Sequence, residues 1–404
     1  MLDRLTIERM RACVGDSPIL VALSGGGDST ALLHLLTHRF GAAPLRAIVI
    51  DHALREGSAP DARRAHASAH ALGVAAQIVT LSWPHGAKPS QQSARQARYR
   101  ALCAAARDED ARAIALGHTA DDQAETVFMR AGAGSSWRGL AGMAPIAPAP
   151  AWPEGRGIIV ARPLLGVRRE PLRAFLRSRQ GVWIEDPANA NPLYERVRVR
   201  ARLASLEAAG LDPMRIARLG KHLRSLADVV DRDAAALIAR AASFEADRIV
   251  VAPRQWSGGA SARRRALSAL IAAAAGAERE PAASAVERLE ERLLDANFSG
   301  ASLGGAGIAV VGHTIVLDRD RGALEGRADG ARPMAPLALP SGVETVWDGR
   351  LLLKASGPGV SVWADPPAPR LVNDIEHDPP VAVETRWLLS ERAAHALRVG
   401  VHDG

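Results

Sequence analysis

Ser24-Gly25-Gly26-Gly27-Asp28-Ser29 is the stretch on which the reading of this chain turns. It follows the apolar run Ile19-Leu20-Val21-Ala22-Leu23, which predicts a buried strand bounded by Pro18 and the glycines. It precedes Thr30-Ala31-Leu32-Leu33-His34-Leu35-Leu36, which has the length and composition of an amphipathic helix. Strand, glycine turn and helix together make an anion cradle, because backbone N–H groups and a helix N-terminus converge there. The glycines let the backbone approach a phosphate closely, and the Ser24 and Ser29 hydroxyls add donors. No Lys ends the loop, so the Gly-Lys-Ser/Thr phosphate-loop pattern is not met. The glycines are also too tightly spaced for the dinucleotide fingerprint. Asp28 puts negative charge where a bare phosphate cradle would avoid it. A divalent cation, shared between carboxylate and phosphate oxygens, accounts for that acid.

Outward from the loop, short apolar runs alternate with helical stretches from about residue 18 to 205. Strands are expected over Leu45–Ile50, Val74–Leu81 and Ala111–Leu116, with helices over Ala62–Leu72, Ser93–Arg107 and Leu172–Leu176. This alternation predicts a doubly wound α/β domain on a parallel sheet. Ligands bind beyond the carboxyl ends of such strands, and the polar motifs at Ser24, Asp51 and His118 all fall at expected strand ends. Pro145–Gly157, rich in Ala, Pro and Gly, reads as a loop or insertion. From 206 to 325 the pattern becomes mostly helical, over Arg215–Ala242, Ser261–Ala275 and Val286–Leu294, with a strand pair within Ile308–Leu317. Residues 326–342 read as a Pro/Gly linker, and 343–404 as a small α+β C-terminal domain. The expected organisation is therefore a catalytic domain over 1–205, a helical middle domain over 206–325, the linker, and that third domain.

At 404 residues the chain is long enough for two or three cores. Its net charge of +7 and pI near 10.3 favour an anionic partner. Lys88, Lys221 and Lys354 are the only lysines, so arginine supplies nearly all the positive charge. Cys13 and Cys103 form no CxxC pair, which gives no basis for a zinc or iron–sulfur motif and fits a reducing compartment. No apolar stretch has signal-peptide or membrane-spanning length, so a soluble cytoplasmic protein is expected.

Two further motifs carry chemistry. Asp51-His52-Ala53-Leu54-Arg55 sets an acid, an imidazole and a guanidinium at a strand end, where a capped turn with a surface ion pair is the plain alternative. Gly117-His118-Thr119-Ala120-Asp121-Asp122-Gln123-Ala124-Glu125-Thr126 is more informative. Thr119 or Asp121 would cap the following helix. Asp122 and Glu125 stand three apart and share a helix face. Two carboxylates beside a phosphate site would repel the phosphate ligand unless they serve a metal or an ammonium group.

Ser24–Ser29 after a first strand resembles the pyrophosphatase loop of the N-type ATP pyrophosphatases, or PP-loop family. The extended pattern resembles one branch in particular, the tRNA(Ile)-lysidine synthetases. It is carried by Ser24–Ser29, Asp51–Arg55, His118–Met129, Arg138–Met143, Arg162-Pro163-Leu164-Leu165 and Glu185-Asp186-Pro187-Ala188-Asn189. These cover about half the chain, residues 18 to 200. The resemblance implies a two-step reaction with ATP and Mg2+. The C2 oxygen of the wobble cytidine in the CAU anticodon of an isoleucine tRNA is adenylated, with release of pyrophosphate. The amine of L-lysine then displaces AMP to give lysidine. By the same resemblance Ser24, Gly25, Gly26, Gly27, Asp28, Ser29, Asp51, His52 and Arg55 would bind ATP, with Asp28 near the Mg2+ and the reacting centre. His118 would stabilise charge at the α-phosphate or activated base. Asp122 and Glu125 would hold the lysine ammonium and help deprotonate it. Glu185, Asp186, Arg196 and Arg200 would line the lysine or nucleotide pocket. The family's Arg-Asn-Arg-Ile-Arg segment is Arg196-Val197-Arg198-Val199-Arg200 here, so an amide hydrogen bond is lost at Val197.

Three arginine-rich stretches are candidates for phosphate contacts with tRNA: Arg95, Arg98, Arg100, Arg107 and Arg112; Arg168-Arg169, Arg173, Arg177 and Arg179; and Arg263-Arg264-Arg265. Trp137, Trp183 and Trp347 are equally candidates for base stacking and for core packing. No membrane partner is expected; monomer and homodimer both stay open. A PP-loop tRNA thiolase is the alternative enzyme, disfavoured because neither cysteine is paired. A non-catalytic nucleotide- or RNA-binding protein is disfavoured by Asp28, His118, Asp122 and Glu125 occurring together.

Overall fold

The structure, a computed structural model, describes residues 1–84, 89–185, 191–193, 195–293, 295, 297–326, 333–365, 369–373 and 381–398. It divides into two compact units, Met1–Asp228 and Val229–Gly400. The division falls at 228/229 rather than at the expected 205/206. No helix among the described residues is long and apolar enough to cross a membrane.

The first unit runs α1 (Arg4–Val14), β1 (Ile19–Ala22), α2 (Gly27–Phe40), β2 (Leu45–Asp51), α3 (Ser58–Ala71), β3 (Ala75–Thr80), α4 (Gln91–Asp108) and β4 (Ala113–Ala115). It continues through α5 (Ala120–Gly132), α6 (Trp137–Leu140), β5 (Ile146–Pro148), β6 (Ile159–Ala161), α7 (Arg169–Ser178), α8 (Glu195–Ala208) and the start of α9 (Pro213–Ala241). The sheet order is β3-β2-β1-β4-β6-β5. Every pairing is parallel except β5 with β6. The expected doubly wound sheet is present, with one antiparallel edge strand added. That strand corrects the reading of Pro145–Gly157 as a loop; its Pro148 is tolerated because an edge strand need not donate on its outer side.

Period-two alternation splits the strands between two layers. Ile19 and Val21 of β1, with Leu45, Ala47 and Val49 of β2, pack against Leu32, Leu33 and Leu36 of α2 and Leu172 and Leu176 of α7. Leu20, Ala22, Ile48 and Ile114 face the other way, against Tyr99, Leu102, Cys103 and Ala106 of α4. The connection from β1 runs to β2 on one side, while β4 lies on the other. That reversal opens a crevice beyond the carboxyl ends of β1 and β4.

The second unit holds the rest of α9, then β7 (Ala242–Glu245), β8 (Arg248–Val251), α10 (Ala260–Ala275), α11 (Ala283–Arg292), β9 (Ala301–Leu303), β10 (Ala306–Val311), β11 (Thr314–Arg319) and α12 (Arg321–Glu325). The helices are where the periodicity placed them, but a five-stranded sheet, β7-β8-β11-β10-β9, packs with them. Beyond it come β12 (Leu337–Leu339), β13 (Thr345–Trp347), β14 (Leu351–Ala355), β15 (Val360–Trp363), β16 (Arg370–Asn373), β17 (Val383–Trp387) and α13 (Leu389–Leu397). The strand β12 falls inside the segment read as a linker. The strands β13 and β14 form a hairpin, turned at Asp348 (φ 52) and Gly349 (φ 65). Buried Arg265 fastens the C-terminal part to α10 by bonding Asp231, Glu280 and the carbonyl of Ala396.

Leu33 is fully buried between α2 and the sheet. Leu33→Ala is expected to lower the unfolding free energy by about 2–5 kcal/mol, measured by urea denaturation of the whole chain.

Candidate active site

The glycine loop is shorter than its sequence suggests. Only Ser24–Gly26 is loop; α2 begins at Gly27, so Asp28 and Ser29 stand in the first helical turn. Ser29 Oγ ties the turn together, donating to the Gly26 carbonyl at 3.1 Å and accepting from the Ser24 amide at 3.2 Å. The two serine hydroxyls lie 3.0 Å apart. Gly25 adopts φ +79°, and a Cβ there would meet Ile184 Cδ1 at 2.5 Å. Trp183 lies over Gly27, and the Ile184 amide donates to the Gly25 carbonyl at 2.8 Å. The segment before Glu185 therefore lids the loop, a contact with no local signal in sequence.

The second motif follows β4, immediately beside the loop. A Cβ on Gly117 would stand 2.9 Å from the backbone of Ser29, so only glycine lets the strand end pass the helix start so closely. Thr119 caps α5 in a capping box with Asp122. Asp122 Oδ2 accepts from the Thr119 amide at 2.9 Å and hydroxyl at 2.8 Å, leaving Oδ1 for other work.

That work is done by Arg169, the first residue of α7. Its Nη2 donates to Asp122 Oδ1 at 2.6 Å, its Nη1 to Glu125 Oε1 at 2.9 Å and its Nε to Asp28 Oδ2 at 3.2 Å. Asp121 pins its backbone, accepting from the Arg169 amide at 2.8 Å. Arg200 Nε donates to Glu125 Oε1 at 2.7 Å, and Arg196 Nε stands 3.6 Å from Glu125 Oε2. One guanidinium thus joins the acid of the glycine loop to both acids of α5. Arg169 read in sequence only as part of a basic surface stretch, so this role is new.

Burial dominates the electrostatics. It pushes the Asp28 carboxyl above the usual range, with Asp122 adding to the rise and Arg169 opposing it. Burial acts upward on Asp122 too, but Arg169, His118 and the Thr119 amide outweigh it and hold that carboxyl low. Arg169 loses solvation, yet its three carboxylates keep it more firmly protonated than a free arginine. Burial, reinforced by Arg162, drives His118 well below its ordinary value, so the imidazole is neutral. His118 Nδ1 is buried without a hydrogen-bond partner, as is Arg162 Nε.

The remaining predicted residues are placed as follows. Asp51 is buried and accepts from the Ala53 amide at 2.9 Å. The His52 carbonyl accepts from Trp83 Nε1 at 2.7 Å, and burial lowers its imidazole's pKa. Arg55 is exposed and pairs with Asp61 of α3. Glu185 accepts from Trp183 Nε1 at 2.7 Å and is otherwise largely exposed. Asp186 lies outside the described residues. A cavity of about 150 Å3 opens behind the acid cluster, lined by Asp121, Glu125, Arg168, Arg169, Arg200 and Glu207 among others.

The arginine stretches are mostly committed within the chain. Arg263 and Arg264 pair with Glu290 and Arg100 with Glu154, while Arg107 donates to the Glu154 backbone carbonyl. Trp347 is core, while Trp137 is exposed. Among the described residues no group of three His, Cys, Asp or Glu is arranged to hold a metal. Mg2+ needs fewer, since one carboxylate with substrate phosphate oxygens suffices, and Asp28 at the loop would fit as that carboxylate.

The description PP-loop domain fits residues 3–207. A tRNA(Ile)-lysidine synthase of Hyphomonas neptunium is 39% identical over 332 residues, 81% of this chain and 88% of the relative. The chain belongs to the tRNA(Ile)-lysidine synthase family. The family's member from Rhizobium meliloti is 37% identical over 379 residues, 88% of this chain and 77% of its own. A looser likeness is to a solved U34-tRNA thiolase of Methanococcus maripaludis, with TM-score 0.44 and 18% identity over 55% of this chain and 78% of that one.

The buried neutral His118 makes a pH prediction. Its folded pKa lies below the value near 6.5 of an exposed histidine. The folded state then binds fewer protons, so this contribution to stability is complete above about pH 6.5 and is lost as pH falls. Unfolding free energy should drop between about pH 7 and 5, and His118→Gln should make the drop shallower. His34 and His52, also depressed, keep part of the slope. Equal slopes in both proteins would contradict the assignment.

Proposed function

We propose that this protein ligates L-lysine to C2 of the wobble cytidine in the CAU anticodon of isoleucine tRNA, consuming ATP. The observation that carries the reading is the junction of a phosphate loop with an acid cluster at adjacent strand ends, in a chain of the lysidine synthase family.

The loop binds the leaving pyrophosphate through the α2 N-terminus, the Gly25, Gly26 and Gly27 amides and the Ser24 and Ser29 hydroxyls. Asp28 would hold Mg2+, which would neutralise polyphosphate charge. The cytidine C2 oxygen attacks the α-phosphorus, the bond to the β-phosphate breaks, and pyrophosphate leaves. His118, neutral and with an unpaired ring nitrogen, suits hydrogen bonding at the α-phosphate or the activated base without adding charge. The lysine amine, as free base, then attacks C2; the C2–oxygen bond breaks and AMP leaves with that oxygen. Asp122 and Glu125 hold the ammonium before it loses its proton. Held below its usual range, Asp122 retains a cation better than it removes a proton. Asp51, His52, Arg55, Glu185, Asp186, Arg196 and Arg200 belong to the nucleotide or lysine surroundings in this reading. A tRNA substrate fits a cytoplasmic enzyme.

Sulfur transfer receives less support. Burial pushes the Cys103 thiol up to about 12, leaving almost no thiolate at neutral pH. Burial raises Cys13 as well.

Purified protein with ATP, Mg2+ and labelled L-lysine should label unmodified isoleucine tRNA and leave methionine tRNA unlabelled. Ser29→Ala should reduce the rate by about 10–1000-fold, the range for losing donors at a charge-stabilising site. Pyrophosphate release with a different acceptor and no lysine incorporation would overturn the substrate assignment.

A further inference from the structure

Arg169 creates a conflict that the two-step reading must resolve. Asp122 has one oxygen spent in the capping box and the other on Arg169. Glu125 Oε1 is shared by Arg169 and Arg200. An ammonium held by Asp122 would need the oxygen that the guanidinium occupies, and at Glu125 it would compete for Oε1 or take Oε2, which is buried without a hydrogen-bond partner and 3.6 Å from Arg196 Nε. The geometry points to Arg169 as a resident counter-ion that the incoming lysine ammonium displaces from Asp122 and Glu125. This inference rests on the proposed lysine reaction and names how its second substrate enters.

Three features support exchange rather than a fixed structural tie. Arg169 spreads over three carboxylates, one per nitrogen, so giving up two still leaves Asp28. Its side chain keeps 19% exposure, and the cavity beside it is lined by its own guanidinium, Glu125 and Glu207. Its backbone stays anchored through the Asp121 bond, so only the side chain has to move. Chemistry also favours a stand-in. Asp28, Asp122 and Glu125 would otherwise face incoming ATP as three clustered negative charges. A cation in residence screens them until the ammonium, of like charge, takes its place. It further sets a threshold: an amine enters only if it outcompetes a three-point guanidinium, which disfavours weakly held amines.

The test compares wild type, Arg169→Gln and Arg169→Lys by steady-state kinetics in lysine and by thermal melting. Removing the competitor in Arg169→Gln should lower the KM for lysine by roughly tenfold, the scale of one charge-assisted hydrogen bond, and raise the KM for ATP. Ornithine should be used better by Arg169→Gln than by wild type. Arg169→Lys keeps one charge without the fork, and should fall between the two. A lysine KM unchanged or raised in Arg169→Gln, with melting near wild type, would overturn the exchange and leave Arg169 a fixed tie. If Arg169→Gln does not fold, Arg169→Lys decides alone: a KM for lysine at or above wild type overturns the inference. Absence of lysine incorporation by the wild type would instead sink the functional reading beneath it.

Discussion

Three carboxylates cannot share a partly buried crevice with a triphosphate unless positive charge is supplied at the same place. Here Asp28, Asp122 and Glu125 come from two elements and are reconciled by Arg169 from a third. Much of the surrounding design follows from that requirement. The Asp121 bond holds the start of α7, Leu172 and Leu176 bury the helix against the sheet, and Gly117 brings the end of β4 against the first turn of α2. Desolvation pushes Asp28 and Asp122 toward neutrality. The guanidinium makes it affordable for Asp122 to stay ionised, while Asp28, less fully compensated, sits higher.

The sheet was legible in the sequence because parallel strands buried on both faces read as continuous apolar runs, and the glycine loop and His118 motif punctuate them at their ends. The acids of α5 were legible as a pair because a spacing of three is local information. Arg169 was not, because its bond to Asp28 spans 141 residues and nothing nearby distinguishes it from Arg168 or Arg173. The edge strand Ile146–Pro148 was hidden by proline and alanine, residues that edge strands accept but that ordinarily signal loops. In the second unit the β10–β11 pair falls where a strand pair was expected, whereas the short strands β7, β8 and β9 were lost among alanine-rich helices. One signal was available and unused: Asp348-Gly349 between apolar residues marks a hairpin turn.

A net charge of +7 invites the view that arginines coat a nucleic-acid surface. Much of that charge faces inward instead. Arg265 lies buried on Asp231 and Glu280, Arg319 and Arg350 both engage Asp348, and Arg162 is buried beside the Ala144 carbonyl. Arginine suits these positions because its fork serves several acceptors at once and stays charged when desolvated. Composition therefore overstates the positive surface, and any tRNA-facing charge must be sought among the arginines that these internal pairs leave over.

The central claim is that the crevice transfers AMP to an oxygen of a base and then releases it to an amine. The direct measurement uses isoleucine tRNA whose wobble cytidine carries heavy oxygen at C2. After reaction with ATP and lysine, mass spectrometry of the AMP reads where that oxygen went. Activation through oxygen predicts one heavy oxygen in the phosphoryl group of the AMP. Unlabelled AMP, with lysine nevertheless attached to the tRNA, would contradict it.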